Sequence, residues 1–191
     1  MLLERTFAQA RGLARAPDIS YFDGLWHLYY AGSSVGSNDS VIGLATTPTL
    51  DPDSPRYHWT DEGLVFASTS ADNFNAIDPS LVTAADGGKW LVFGSFWSGI
   101  KLIELDAATG KPAASPTVYS LAAKASPDAE EGPGITYHDG YYYLFVSVGY
   151  CCRGISSTYH IQVGRSTTLT GPYVDAAGTP MLNAGGMDVQ G

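Results

Sequence analysis

The 191-residue sequence predicts an all-β fold, read as about three blades of a β-propeller. Three observations carry that expectation. A pattern of acid, proline, short apolar run, Gly-containing turn and aromatic-rich run occurs three times. The chain holds 22 glycines and 11 prolines, with aromatics at 12%, which suits many short strands joined by turns. No stretch reads as a long amphipathic helix, and 191 residues at 45% hydrophobic content suffice for one core.

The elements follow in order. The first unit holds Pro17-Asp18-Ile19-Ser20-Tyr21, the turn Asp23-Gly24, and Trp26-His27-Leu28-Tyr29-Tyr30. The second holds Asp78-Pro79-Ser80-Leu81-Val82, the turn Asp86-Gly87-Gly88, and Trp90-Leu91-Val92-Phe93-Gly94. The third holds Glu131-Gly132-Pro133-Gly134-Ile135, the turn Asp139-Gly140, and Tyr142-Tyr143-Leu144-Phe145-Val146. Asp-Gly between alternating runs is a strong hairpin signal. The bulky runs after the turns suit strands covered on both faces. A third strand is expected at 41–46, 100–105 and 161–166. A fourth, weaker one is expected at Tyr57-His58-Trp59, at 117–121 and near Tyr173-Val174. Residues 1–191 then form one domain, a partial propeller with repeats at about 16–66, 75–122 and 129–180. The tail 181–191 stops where a further blade should begin. Two open edges would expose strand backbone unless a second chain or another copy covers them.

Charge narrows the partners. The net charge of −9 disfavours nucleic acid and anionic membrane surfaces and fits a neutral ligand. No run approaches the roughly 18 apolar residues of a membrane helix. Residues 1–16 carry Arg5, Arg11 and Arg15 without a continuous apolar stretch, so no signal peptide is read there. Cys151 and Cys152 are adjacent. Two free buried thiols are expected, against a rigid vicinal pair that shapes a binding wall. His27, His58, His138 and His160 lack ligand spacing, so no metal site is expected from this chain.

The chemistry sits with the acids. Two carboxyl groups facing one cavity are the minimum for glycoside cleavage, one protonating the leaving oxygen. Glu131, at a strand start, is the candidate acid, and Asp78 is its electrostatic partner. A single Asp-Pro would read only as a turn cap. Three acids in register, Asp18, Asp78 and Glu131, argue for function. Phe93-Gly94-Ser95-Phe96-Trp97-Ser98-Gly99-Ile100 suits a loop on which a sugar ring stacks, or equally packing between blades.

Several segments together resemble glycoside hydrolase family 43, and within it the endo-1,5-α-L-arabinanases. They are Ala16-Pro17-Asp18-Ile19-Ser20, Asn75-Ala76-Ile77-Asp78-Pro79, Gly94-Ser95-Phe96-Trp97-Ser98-Gly99-Ile100-Lys101-Leu102, Glu131-Gly132-Pro133, and Cys151-Cys152-Arg153-Gly154 with Ser157-Thr158-Tyr159. The resemblance implies a five-bladed propeller that hydrolyses arabinan with inversion. It implies Glu131 as general acid and Asp78 as the residue that tunes it. It implies Gly43, Asn75, Ala76, Ile77, Ser95, Phe96 and Trp97 as substrate contacts, with Asp18 near the pocket. The ligand would be arabinan or an arabino-oligosaccharide, and the location extracellular or cell-surface. The departures are specific. The family's general base is an Asp of the first blade, and the only acid in residues 1–14 here is Glu4. Arg15 replaces the usual Trp, and Gly132 the usual Ala. The last-blade His that helps hold calcium in the family has no counterpart, so no cofactor is expected. Two further readings stand beside an arabinan-cleaving enzyme: a non-catalytic arabinan-binding propeller, and an inactive fragment.

Overall fold

The computed structural model describes residues 14–125 and 128–189; Glu4 lies outside them. The described residues form three open, four-stranded antiparallel sheets. The first contains β1 (Ala14–Phe22), β2 (Leu25–Ser33), β3 (Ser40–Thr47) and β4 (Thr60–Ser68). The second contains β5 (Ser80–Thr83), β6 (Lys89–Phe93), β7 (Ile100–Leu105) and β8 (Tyr119–Ala122). The third contains β9 (Glu130–His138), β10 (Tyr141–Val148), β11 (His160–Ser166) and β12 (Met187–Asp188). Each sheet pairs its strands in chain order.

Local chemistry sets the hairpins. Asp23 and Gly24 both take positive φ (48° and 78°), as do Asp139 and Gly140 (47° and 83°). Positive φ at both central residues is the turn whose twist matches its flanking strands. It closes Phe22 on Leu25 and His138 on Tyr141.

The second sheet lies between the other two, and its side-chain alternation divides the core. Leu91, Phe93, Ile103 and Leu105 pack with Tyr29, Ile42 and Leu44 of the first sheet. Val92, Ile100, Leu102 and Leu121 pack with Tyr142, Leu144 and Val146 of the third. Neighbouring residues of one strand thus serve different interfaces, as a period of two requires. Polar ties cross the same interfaces. The Tyr29 hydroxyl donates to the Gly110 carbonyl (2.9 Å), and the Ala85 N–H donates to the Tyr142 hydroxyl (2.9 Å). The bulky run of β10 is fully buried on one face only; Tyr141, Tyr143 and Phe145 on the other are half-buried.

Two fourth strands fall elsewhere than expected. In the first sheet it is β4, and Tyr57-His58-Trp59 precede it as irregular chain. In the third it is β12, which pairs with β11 through Gln162–Asp188 and Val163–Met187. Val174 makes single bridges to Arg165 and Pro180, while Tyr173 is buried in the core. The tail residues 187–188 therefore complete the third sheet.

Leu144, with no exposed surface, bridges the second and third sheets. Leu144→Ala should cost about 2–5 kcal/mol in urea unfolding, through lost transfer energy and the cavity left behind.

Candidate active site

The site forms where β9 begins. In the pairing of β9 with β10, Phe145 faces Gly134 and Ser147 faces Glu131, so Gly132 and Pro133 together oppose one residue. That bulge re-aims the strand at Glu131. β1 carries the same bulge, with Ala16 and Pro17 inserted between Arg15 and Asp18. Ala16 and Gly132, each just before the proline, take positive φ (43° and 60°), and so does Asp78 before Pro79 (54°). The shared landmark is thus the proline. Glu131 lies two residues before it, Asp78 one before and Asp18 one after, so the three acids do not occupy equivalent positions. Asp18 is spent on structure: its carboxylate accepts from the Leu81 N–H at 3.1 Å and from the Ser20 hydroxyl at 3.3 Å.

Glu131 is held from both sides. The Ser95 hydroxyl donates to Oε2 at 2.8 Å, and the Tyr159 hydroxyl donates to Oε1 at 3.0 Å. A backbone bridge joins Ser95 and Glu131, and the Phe96 N–H donates to the Glu130 carbonyl at 2.8 Å. Asp78 Oδ2 accepts the Gly132 N–H at 3.1 Å, which brings both acids to one place. Burial first, and then the Glu131 charge, push Asp78 up to about 6, against the Gly132 hydrogen bond. Burial and the Glu131 charge also raise Tyr159 to about 12, so its hydroxyl remains a donor.

A cleft of about 400 Å³ adjoins Glu131 through Ser95. Ile77, Phe96, Trp97 and Asn75 line it, with the Ser33-Ser34-Val35-Gly36-Ser37 loop and Asp128. Phe96 and Trp97 both hold positive φ (56° and 50°), a strained conformation for such residues that recurs at binding sites. The turn beneath them requires glycine at position 94, where a Cβ would come within 2.6 Å of the Gly99 carbonyl. Asn75 is nearly buried, and its side-chain oxygen accepts from Ser40 at 2.6 Å. Ala76 is fully buried in the core, with its N–H on the Ser68 hydroxyl. Gly43 sits in β3 against the Tyr30 ring, where a Cβ would meet ring atoms at 2.5 Å.

The sequence did not single out Tyr159, Tyr150, Asp128 or Glu130 as site residues. Tyr159 and Asp128 were findable, one in the Ser-Thr-Tyr motif and the other three residues before Glu131. Tyr150 packs on Phe96 with ring centroids 6.4 Å apart, and the Arg153 guanidinium lies over the Tyr150 ring at 4.3 Å. Cys151 and Cys152 on that loop are free and exposed, contrary to the expected burial, because the loop projects from the sheet ends. Among the described residues no three His, Cys, Asp or Glu side chains gather around a common point. No step below uses a metal ion.

The family profile named Glycosyl hydrolases family 43 matches residues 4–190. The chain belongs to that family. It is 53% identical over 172 residues to an extracellular endo-α-(1→5)-L-arabinanase of Bacillus subtilis, covering 90% of this chain and 51% of that protein. It is 43% identical over 182 residues to an extracellular exo-α-(1→5)-L-arabinofuranosidase of Cellvibrio japonicus, covering 90% and 52%. A solved Cellvibrio cellulosa α-L-arabinanase, complexed with arabinohexaose, superposes at a TM-score of 0.90 with 40% identity, over 100% of this chain and 64% of that one. The chain spans about half the length of the curated relatives it matches. No helix is long and apolar enough to cross a membrane among the described residues.

Behind Glu131, Glu130 points to the opposite side of the strand, fully buried, and neither of its oxygens has a hydrogen-bond partner. Burial raises it to about 7, opposed by Lys124 and Lys101. Folded protein keeps this proton between pH 4.5 and about 7, while the unfolded chain releases it, so stability falls as pH rises through that window. Glu130→Gln removes the penalty. It should equal the parent near pH 4 and exceed it by on the order of 2 kcal/mol above pH 7, read from denaturation at each pH.

Proposed function

We propose that the chain supplies the acid half of an arabinan-cleaving glycosidase site. The observation that carries this reading is Glu131, gripped by Ser95 and Tyr159 beside the raised Asp78, at the rim of an aromatic cleft. The similarity to arabinan-degrading enzymes supports the substrate class. The three sheets are read as consecutive blades of a five-bladed propeller, residues 1–191 forming one domain.

Glu131 acts as general acid and gives its proton to the leaving glycosidic oxygen, which lowers the barrier to C–O cleavage. Asp78 tunes it. Burial and the repulsion between the two carboxyl charges keep Asp78 protonated into the mildly acidic range, where it limits the negative charge beside the acid. Ser95 and Tyr159 donate to the carboxylate that remains, which stabilises it once the proton has gone. Phe96 and Trp97 offer ring faces for the sugar, with Asn75 and Ile77 beside them. Gly43, Ala76 and Asp18 act through packing and backbone support of this cleft. Inversion needs a second carboxylate to activate water. We read that base as supplied by a second chain, by another copy, or by an unexpected residue. The reaction belongs outside the cell or on its surface, where the polymer is.

Reducing-sugar release from linear 1,5-α-arabinan by the purified chain, beside Glu131→Gln, tests this. Glu131→Gln should lower turnover by about 100-fold or more while leaving oligosaccharide binding within a few-fold. Trp97→Ala should weaken that binding by about tenfold, read by calorimetry. Activity should change as pH rises through about 6, where Asp78 ionises beside Glu131. Binding that survives in a soluble chain without turnover would replace the enzyme reading with a binding module.

A further inference from the structure

The loop between β10 and β11 carries a feature that glycoside cleavage does not use. Cys151 and Cys152 are neighbours in sequence, both free and both exposed, and their Sγ atoms face each other at 2.6 Å. Cys152 takes a left-handed φ of 63°, which turns the chain at the pair. The loop is tied at its neck. The Gly149 N–H donates to the Ala129 carbonyl (3.0 Å), the Thr158 N–H to the Tyr150 carbonyl (3.0 Å), and the Tyr150 N–H to the Thr158 hydroxyl (3.1 Å). The Arg153 N–H donates to the Ser157 hydroxyl (3.0 Å), so the far side of the loop is also held. The two thiols thus sit on a constrained backbone, side by side and open to solvent.

We propose that Cys151–Cys152 is a redox modification site, a vicinal dithiol that a low-molecular-weight disulfide converts to an intramolecular disulfide. The Cys151 thiolate attacks one sulfur of the small disulfide, forming a mixed disulfide and releasing one small thiolate. The Cys152 thiolate then attacks Cys151 Sγ, forming the Cys151–Cys152 bond and releasing the second. The protein loses two protons and two electrons, and one small disulfide becomes two thiols. Exposure admits the small disulfide, and adjacency makes the second attack intramolecular. The shared proton between the thiols raises Cys151 above the ordinary thiol value, so exchange quickens as pH increases. The ring that forms lies beside Tyr150, which packs on Phe96, and within the loop that leads to Tyr159, which holds Glu131. Oxidation therefore stiffens one wall of the cleft. The chemistry does not depend on the proposed activity.

Intact-mass spectrometry of the full chain after incubation with oxidised glutathione at mildly alkaline pH tests the assignment. The expected result is the loss of two hydrogens with no glutathione retained, reversed by a thiol reductant. Cys152→Ser cannot close the ring and should retain one glutathione on Cys151. Both positions are exposed and Ser is nearly isosteric, so folding is preserved. Two thiols left free in the wild type would overturn the proposal. So would stable glutathione adducts or a disulfide-linked dimer in its place.

Discussion

The start of β9 is clamped to the second sheet, and the candidate site exists because of that clamp. The Glu130 carbonyl takes the Phe96 N–H, Glu131 bridges Ser95, and Asp78 takes the Gly132 N–H. Each such bond contributes on the order of 1 kcal/mol net. Together they fix two acidic groups of different sheets at one point, and they determine where the aromatic turn 94–99 lies. The bulge at Gly132 and Pro133 is what frees Glu131 from the regular alternation and aims it there. Remove the clamp and the acid pair, the cleft and the loop bearing Tyr159 lose their common frame.

The site is built where the structure is locally least comfortable. Asp78, Phe96 and Trp97 hold positive φ, Asp78 lies half-buried beside another carboxylate, and the Glu130 carboxyl is buried without a hydrogen bond. Such features cost of order 1–3 kcal/mol each and persist where surrounding packing over-determines them. Here that packing is the second sheet, whose two faces are both covered by core. A rigid middle sheet is what allows strain to collect along its edge with the third.

Much of the fold was legible, because side-chain period and Asp-Gly turns are local signals. β3, β7 and β11 fall within a residue of the expected runs, and both two-residue Asp-Gly hairpins form as read. The fourth strands were illegible at β4 and β12, since an outer strand is defined by pairing more than by its own pattern. Met187-Asp188 has only two residues and becomes a strand by meeting Gln162 and Val163. Of the site, Glu131 and Asp78 could be read from motif and chemistry. The equivalence of three acids could not survive, because a one-residue bulge shifts register invisibly in sequence and Asp18 is committed to Leu81. The burial of Ala76, and of Glu130 beside an exposed-looking motif, likewise follows from which face meets the next sheet.

The most direct test of this account is a carboxyl-carbon NMR titration of Asp78 in the parent chain and in Glu131→Gln. The account predicts an Asp78 midpoint near 6 in the parent, falling when the facing charge is removed while burial still holds it above the ordinary aspartate range. An Asp78 that titrates in the ordinary range in both proteins would contradict it, since the two acids would then not be coupled at one site.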